Sequence, residues 1–377
     1  MRSKIVFILL LSLFLQAKAQ DTLKLKGQFS NWLLYSSNNE LPYWFGSRYI
    51  PQLNYTNILK NEQQIDFEAS INTFGTFATN FNDSTYSNAQ LKPYRVWARY
   101  SGKQFELRAG LQKINFGSAT MLRPLMWFDQ VDARDPLKLT DGVWGILGRY
   151  YFMNNSNIWL WALYKNKAPR GWEFIEHNKK LPEFGTRVQF PLKNSEIGFS
   201  YHHNLLDSRS LNGLLIPLEK IPENKFGFDL KIDWFIGIWL ETTLSSKSEN
   251  LGIYTHQKLL TIGSDYTFKI GNGLNFVLEH LLANNTEKAY QLKNILNLSA
   301  ISASYPISLF DNLGVMFYYD WNNNALYNFM NWQRQFNKLS LHVLAFWNPK
   351  DSIMPTQTIG NKLFSGKGIQ LMLLLNH

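Results

Sequence analysis

The 377-residue chain contains no cysteine. This absence excludes disulfide bridges, thiol catalysis, thiolate metal sites and a lipidated N-terminal cysteine. A long apolar run is also missing after the first residues, because no later stretch offers the ~20 consecutive apolar residues that a transmembrane helix needs. We therefore do not expect a helical inner-membrane protein.

Charge of one sign is nowhere concentrated. The formal net charge is +10, but the basic residues are scattered and no basic block is longer than Lys179-Lys180. Nucleic-acid binding needs a clustered basic stripe, so no nucleic-acid partner is expected. Metal-ligand spacings, phosphate-binding glycine loops and nucleophile elbows are missing as well. We accordingly expect no metal, no cofactor and no enzymatic activity.

The first 19 residues have the pattern of a secretory signal peptide. Arg2 and Lys4 precede an apolar run over residues 5–15, and Ala17-Lys18-Ala19 supplies small residues for cleavage. The apolar run is too short to cross a bilayer as a helix. The sequence predicts cleavage after Ala19, which leaves residues 20–377 as the mature domain, beginning with Gln20.

Residues 20–377 read as short strands in which apolar and polar residues alternate. In the first strand one parity is apolar and the other polar: Leu23, Leu25, Phe29, Leu33 and Tyr35 against Lys24, Lys26, Gln28 and Ser30. Because successive strand side chains point to opposite faces, each segment has one apolar and one polar wall. Aromatic residues make up 15% of the chain, which is typical of proteins with aromatic girdles at two membrane interfaces. The pattern predicts an all-β fold, a transmembrane antiparallel up-and-down β-barrel of about 18 strands, with 16 possible.

The links between these strands alternate in length. Short links fall at 101–103, 154–156, 191–194, 271–273 and 305–312, and longer ones at 77–91, 115–141, 166–182, 204–224, 246–257 and 284–294. Outer-membrane barrels have short periplasmic turns and longer outer loops in this alternation. We therefore expect a cell outer-membrane protein surrounded by lipid and lipopolysaccharide, with both termini in the periplasm. A soluble sandwich or propeller is the alternative, although no repeat of fixed period supports a propeller.

The polar parity predicts the wall of an aqueous lumen, because a barrel of this size is too wide to be filled by its own wall side chains. The predicted pore-wall residues are Lys24, Lys26, Arg95, Arg99, Arg108 and Arg187. Arg95, Arg99 and Arg108 lie on consecutive strands and would form a basic ladder that favours anions or acidic sugars. Alternatively, these arginines pair with carboxylates across the strands and stiffen the wall.

The link 115–141 is the third outward-facing one, and it is long. It combines aromatic residues with closely spaced charges, namely Asp129, Asp132, Arg134, Asp135, Lys138 and Asp141. We expect this segment to fold inward and narrow the channel, because charges in a low-dielectric constriction act strongly on a passing solute. The alternative is a self-packed surface loop held by Asp–Arg pairs.

One region carries a family resemblance. The residues in question are 108–112, Phe116-Gly117, 123–125, 127–129, 132–136 and 140–143, followed by a strand. They resemble porin-like outer-membrane barrels, including the phosphate-selective porin and alginate-export groups. The resemblance implies a β-barrel with a pore-narrowing loop and transfers no substrate. The chain departs from such barrels by ending in Leu375-Asn376-His377 rather than in an aromatic residue.

These observations favour a channel for passive diffusion of small hydrophilic solutes, with anions and saccharides as candidate classes. Homo-oligomerisation is left open. A barrel that serves as a scaffold or export conduit for a polymer or a secretion assembly is the alternative. An outer-membrane hydrolase is a weaker hypothesis, for which Ser200, His202, His203 and Asn204 are the candidate residues.

Overall fold

The computed structural model describes residues 22–37, 39–210, 218–350 and 362–377. The predicted signal peptide, residues 1–19, and Gln20 lie outside the described residues. Within the described part of the chain, no helix combines the length and the apolar character that a membrane crossing requires.

Nearly all regular structure is strand. The strands are β1 (Thr22–Ser36), β2 (Tyr43–Ile58), β3 (Gln64–Thr79), β4 (Thr85–Ser101), β5 (Phe105–Gln112), β6 (Val143–Tyr151), β7 (Asn157–Leu163), β8 (Glu176–His177), β9 (Glu183–Leu192), β10 (Ser195–Asp207), β11 (Ile221–Asp233), β12 (Gly237–Lys247), β13 (His256–Phe268), β14 (Leu274–Thr286), β15 (Leu296–Pro306), β16 (Asp311–Asp320), β17 (Ala325–Gln335), β18 (Leu339–Trp347) and β19 (Lys367–Asn376). Single 3₁₀ turns occur at Lys60–Glu62, Ser208–Ser210, Gly252–Tyr254 and Lys362–Phe364.

The sheet closes on itself. Each strand pairs antiparallel with the next, except that β7 passes over the two-residue β8 to pair with β9. β1 pairs with β2 on one side and with β19 on the other, from Gln28↔Asn376 to Ser36↔Gly368. Apart from β8, which pairs only with the end of β10, the strands form a closed 18-stranded barrel. The predicted fold and the count of about 18 are therefore confirmed, and closure leaves no edge strand among the 18 strands of the barrel.

The predicted alternation sorts side chains between the two faces of the barrel. On β1 Leu25 is 71% exposed on the outer surface, whereas Ser30, on the opposite parity, is 2% exposed inside. Aromatic pairs lie near both ends of the outer surface, such as Tyr266–Phe268 and Tyr319–Trp321, each with ring centroids 4.8 Å apart. This arrangement matches a lipid-facing wall with two aromatic girdles.

The links between strands also differ in length between the two ends of the barrel. One end, here called the turn end, carries the chain termini and short links such as 102–104, 152–156 and 193–194. The other, the loop end, carries the longer links, including 113–142 and 164–182. The predicted loop at 77–91 is wrong, because β3 and β4 stay paired from Gly75↔Ala89 to Thr79↔Thr85. The Asn80 side chain closes this hairpin by accepting from three backbone N–H groups, so only a tight turn interrupts the two strands.

The bore is partly filled by the segment 113–142, here called the inward loop. It leaves the wall early because β5 has only eight residues and ends at Gln112. Gly117 has a φ of 95°, and a Cβ at this position would collide with the carboxylate of Glu241, so glycine permits both the turn and the close approach. The loop therefore lies inside the barrel.

Candidate functional site

Glu279 on β14 holds the inward loop from the opposite wall. Its carboxylate accepts hydrogen bonds from the backbone N–H groups of Thr120 at 2.6 Å, Met121 at 2.9 Å and Leu122 at 2.6 Å. The Thr120 hydroxyl also donates to it at 3.1 Å. Because Glu279 is fully buried, these donors supply the solvation that the charged carboxylate would otherwise lose.

Glu241 on β12 plays the same part for the neighbouring stretch of the loop. It accepts from the backbone N–H groups of Ala119 at 3.0 Å and Leu125 at 2.7 Å. Sequence reasoning missed Glu279, for which a carboxylate on the lumen parity between Val277 and Leu281 was the usable signal. Two wall carboxylates thus fix the tip of the inward loop.

Apolar packing reinforces this docking at two places on the wall. Met121 and Leu122 pack against Leu281, Leu298 and other buried lumen-facing side chains of β13–β18. A second cluster contains Phe116, Leu125, Trp127, Phe128 and Trp161. Since each fully buried large apolar side chain contributes ~1.5–3 kcal/mol, the loop is firmly packed rather than loosely suspended.

Three of the predicted constriction residues, Asp129, Asp132 and Arg134, form ion pairs inside the loop. Asp129 receives two hydrogen bonds from Arg123, at 2.8 and 3.2 Å, and both side chains are buried. Asp132 forms a bidentate pair with Arg134, with the closest contact at 2.6 Å. Although burial opposes it, Arg134 holds the pKa of Asp132 below its ordinary value. Both partners of each ion pair belong to the inward loop, so these pairs stabilise the conformation of the loop itself.

The other three predicted constriction residues lie along the returning part of the loop. Asp135 accepts from the backbone N–H groups of Leu137 at 3.0 Å and Leu139 at 3.3 Å, and burial raises its pKa. Lys138 is exposed. Asp141 pairs with Lys92 on β4 at 2.7 Å, which ties the end of the loop to the wall.

A cavity of about 510 Å³ remains beside residues 130–141 of the loop. Its lining comes from β1–β4, from β17 and β19 and from the link before β19, and it includes Trp32, Arg48, Asn72, Phe74, Lys92, Tyr94, Asp132, Arg134, Asp135, Asp141, Phe329 and Phe364. Open space lined by both polar and apolar side chains therefore lies between this part of the loop and β1–β4.

Two predicted pore-wall arginines are buried. Arg95 donates to the backbone carbonyl of Thr140 in the inward loop at 2.9 Å. Arg187, 1% exposed, donates to both carboxylate oxygens of Asp229 at 2.6 and 2.8 Å and to the Ser200 hydroxyl at 3.0 Å. Arg95 is thus a contact between wall and loop, and Arg187 belongs to a buried cross-strand pair.

The remaining predicted pore-wall residues lie nearer the turn end. Arg99 contacts Asp66 at 2.8 Å and Glu106 at 3.8 Å, and Arg108 contacts Glu106 at 2.8 Å. The structure therefore places both arginines in mixed-charge pairs, across strands for Arg99 and along β5 for Arg108. Lys24 and Lys26 on β1 are exposed and have no ion pair among the residues that the structure describes.

The candidate hydrolase residues do not converge. Trp161 donates to Nδ1 of His202 at 3.1 Å, and Ser200 is engaged by Arg187. His203 lies on the opposite parity and contacts Asn224 at 2.9 Å. No hydrogen bond between Ser200 and a histidine occurs in the described part of the chain, so this stretch lacks the nucleophile–base contact that acyl transfer uses.

A buried charge cluster closes the loop end beside β9–β12. Arg170 donates to Glu183 at 2.6 Å, and Lys225 contacts Glu173. His177 lies 2.6 Å from Glu173. Although burial opposes it, His177, Lys225 and Arg170 hold the pKa of Glu173 well below its ordinary value. The cluster locks the segment 164–182 against the wall.

Comparisons with known proteins agree with this architecture. No protein-family model and no curated protein matches the chain. Among solved structures, Acinetobacter baumannii OccAB4 aligns with a TM-score of 0.56 at 10% identity, over 96% of this chain and 98% of that one. Pseudomonas aeruginosa OccK5 (OpdH) aligns with a TM-score of 0.56 at 10% identity, over 94% and 97%.

An anion-selective porin from Comamonas acidovorans aligns with a TM-score of 0.51 at 10% identity, over 95% of this chain and 100% of that one. These structures are Gram-negative outer-membrane porins. At such low identity the likeness concerns the fold, and the chain has the closed-barrel fold of the outer-membrane porins.

Proposed function

We propose that this protein is an outer-membrane channel for the passive diffusion of small hydrophilic solutes. The observation that carries the proposal is a closed 18-stranded barrel in which the docked inward loop leaves a cavity of about 510 Å³ with a mixed polar and apolar lining. The fold likeness to porins supports it, including the one described as anion-selective. Lipid and lipopolysaccharide would surround the outer wall.

The lining suggests a route for the solute. From the loop end it would enter the cavity beside Arg48 and Asp135 and pass between the inward loop and β1–β4. It would then reach the mixed-charge wall formed by Asp66, Arg99 and Glu106. Rings of side-chain charge decide which ions remain in such a pore, so paired charges here favour weak rather than strong ion selectivity.

Planar-bilayer recording of the purified mature protein tests the proposal. Ohmic single-channel currents are expected, and liposomes that contain the protein should swell in solutions of small sugars. Replacing Arg95, Arg99 and Arg108 together by neutral residues should shift the reversal potential under a salt gradient toward cation preference. An unchanged reversal potential would remove these arginines from ion selection, and a protein without conductance would refute the channel.

The extent to which the bore is filled favours one second candidate. Apolar side chains of the inward loop cover the lumen face of β13–β18, and the buried charge cluster closes another sector. A closed barrel that acts as a scaffold or export conduit would share these features. Absence of conductance together with stable copurification of partner proteins from outer membranes would support that role.

Export with cleavage after Ala19 belongs to the same proposal. Intact-mass measurement of the membrane-inserted protein should give a chain that begins at Gln20. A membrane-inserted protein that retains residues 1–19 would contradict the predicted processing. Chemical crosslinking in intact membranes would establish whether the barrels associate.

A further inference from the structure

The wall of the cavity on β2–β4 brings four side chains into one patch. Arg48 on β2 is in register with Phe74 on β3, and Asn72 on β3 is in register with Lys92 on β4. The Arg48 guanidinium lies 5.2 Å and the Lys92 ammonium 5.7 Å from the centre of the Phe74 ring. All four side chains line the cavity.

Two polar atoms of this patch have no protein partner. Nε of Arg48 and Oδ1 of Asn72 are buried and make no hydrogen bond with the described residues, and Asn72 as a whole is only 4% exposed. No ion pair of Arg48 occurs in the described ranges either. A buried polar group without a partner is unfavourable. A ligand that accepts a hydrogen bond from Nε of Arg48 and donates one to Oδ1 of Asn72 would satisfy both atoms.

The charges around the cavity balance. Besides Arg48, the lining contains the cations Lys92 and Arg134 and the carboxylates Asp132, Asp135 and Asp141. Lys92 and Arg134 already have partners in Asp141 and Asp132. Arg48 lies within electrostatic range of Asp135, a carboxylate without an ion pair among the described residues, and counteracts the effect of burial on the pKa of that carboxyl. Since a formal excess of either sign is lacking, the cavity has no strong preference for a charged solute.

Apolar surface completes the lining. Trp32, Phe329 and Phe364 contribute rings, and Arg134 lies 5.4 and 5.6 Å from the centres of the latter two. The volume of about 510 Å³ falls within the ~300–1,000 Å³ of small-molecule sites, which combine apolar walls with a few convergent polar groups. Sugars present apolar C–H faces together with hydroxyl groups that both donate and accept.

We propose that this cavity is a binding subsite for a small uncharged saccharide, in which Arg48 donates to and Asn72 accepts from the sugar hydroxyls while the rings cover its apolar faces. The proposal deepens the proposed channel function and rests on it for the entry of solute. It names a substrate class that neither the porin fold nor the paired arginines near the turn end specify.

Isothermal titration calorimetry with the detergent-solubilised mature protein tests the subsite without requiring conductance. Lactose and lactobionate are the probes, because they are similar in size and lactobionate is the oxidised, ring-opened form of lactose that carries one carboxylate. We expect saturable binding of lactose that is tighter than that of lactobionate. Tighter binding of lactobionate would overturn the proposal in favour of an anion site. Absence of saturable lactose binding would refute the saccharide subsite.

Two substitutions assign the binding to the named residues. Arg48→Met removes the donor and the charge but keeps an unbranched side chain, and Asn72→Leu removes the orphaned acceptor at similar size. Each should weaken lactose binding by about tenfold, which corresponds to the loss of one or two hydrogen bonds. Lactose binding as tight as that of the wild type in both variants would overturn the assignment.

Arg334→Met is the matched control, because Arg334 also has its guanidinium near a ring, 5.6 Å from the centre of Phe336, and does not line the cavity. Its lactose affinity should equal that of the wild type. A heat-dependent gel shift of each variant checks that the barrel has formed. Single-channel recording of the same preparations separates the two proposals: conductance without lactose binding refutes the subsite alone, and lactose binding without conductance refutes the channel alone.

Discussion

Replacing Glu279 by glutamine should undock the tip of the inward loop. In the wild type, one carboxylate oxygen accepts from the N–H and the hydroxyl of Thr120, and the other accepts from the N–H groups of Met121 and Leu122. The amide of Glu279→Gln has only one acceptor oxygen. If the NH₂ group takes the place of the first oxygen, it faces the backbone N–H of Thr120. If it takes the place of the second, it faces the backbone N–H groups of Met121 and Leu122.

The expected loss follows from these contacts. Each buried N–H group left without an acceptor costs ~1–3 kcal/mol, so one or two of them cost ~1–6 kcal/mol, and the charge that strengthens the remaining bonds is lost as well. Opposing this, burial of Met121 and Leu122 contributes ~1.5–3 kcal/mol for each side chain. The cost of the unsatisfied N–H groups and the gain from burying the two side chains are similar. We therefore expect a substantial population of protein with the loop undocked, in place of a single docked state.

Limited chymotrypsin digestion followed by intact-mass analysis would detect this population. Trp127 lies close to the anchored tip in the inward loop and is 4% exposed, so the wild type should resist cleavage after it while Glu279→Gln is cut. Single-channel currents of the variant should also be noisier. Glu196→Gln is the control, because it makes the same change on β10, where Glu196 is in register with Lys231. Equal protease resistance and equal noise in wild type and Glu279→Gln would refute the anchoring role.

Three further perturbations test the charges of the interior. Arg108→Met should shift the reversal potential under a salt gradient toward cations, and Glu106→Gln should shift it toward anions, because each removes one member of a wall pair. Burial raises the pKa of Asp135, so as the pH falls this carboxyl is neutralised before ordinary aspartates. Anion preference should then rise in bilayer recordings, and Asp135→Asn should abolish that step. By linkage, the stabilisation from protonated Asp135 is complete below the ordinary aspartate pKa and is lost as the pH rises through the raised value. Arg187→Met should lower the free energy of unfolding by ~3–5 kcal/mol because it leaves Asp229 buried without its partner, and adding Asp229→Leu should recover much of that loss in a denaturant titration.

The barrel could be predicted from the sequence because its main signals are local. Alternation along a strand such as β1 reports directly which side chains face lipid, and closure follows from the even, repeated pattern of strands and links. The incorrect loop at 77–91 shows the limit of this reasoning. Its threonine, serine and asparagine residues are typical of loops, but these residues also suit a hairpin that continues beyond the apolar belt, where both faces of the strands can be polar.

The interior was less predictable because its contacts join residues far apart in the chain. The bond between Leu122 and Glu279 spans 157 residues, and it depends on strand register that no local pattern encodes. The same holds for Arg48 and Asn72, since the lack of a partner for a buried atom can be recognised only when every neighbour is placed. The charges of the inward loop were visible in sequence, but their pairing within the loop and with Lys92 was not.

The two halves of the lumen wall explain why the loop and the barrel form one unit. Lumen-facing positions of β13–β18 include Leu281, Leu298 and Phe329, which would face water if the loop were absent. Exposing this surface would forfeit ~1.5–3 kcal/mol for each large side chain, so the apolar half of the wall presupposes the docked loop. On β4 the loop is held instead by polar contacts, such as Asp141 with Lys92 and the Thr140 carbonyl with Arg95. The open cavity lies along this part of the loop because such contacts join the loop to the wall only at separate points, whereas the apolar cluster fills the space against β13–β18.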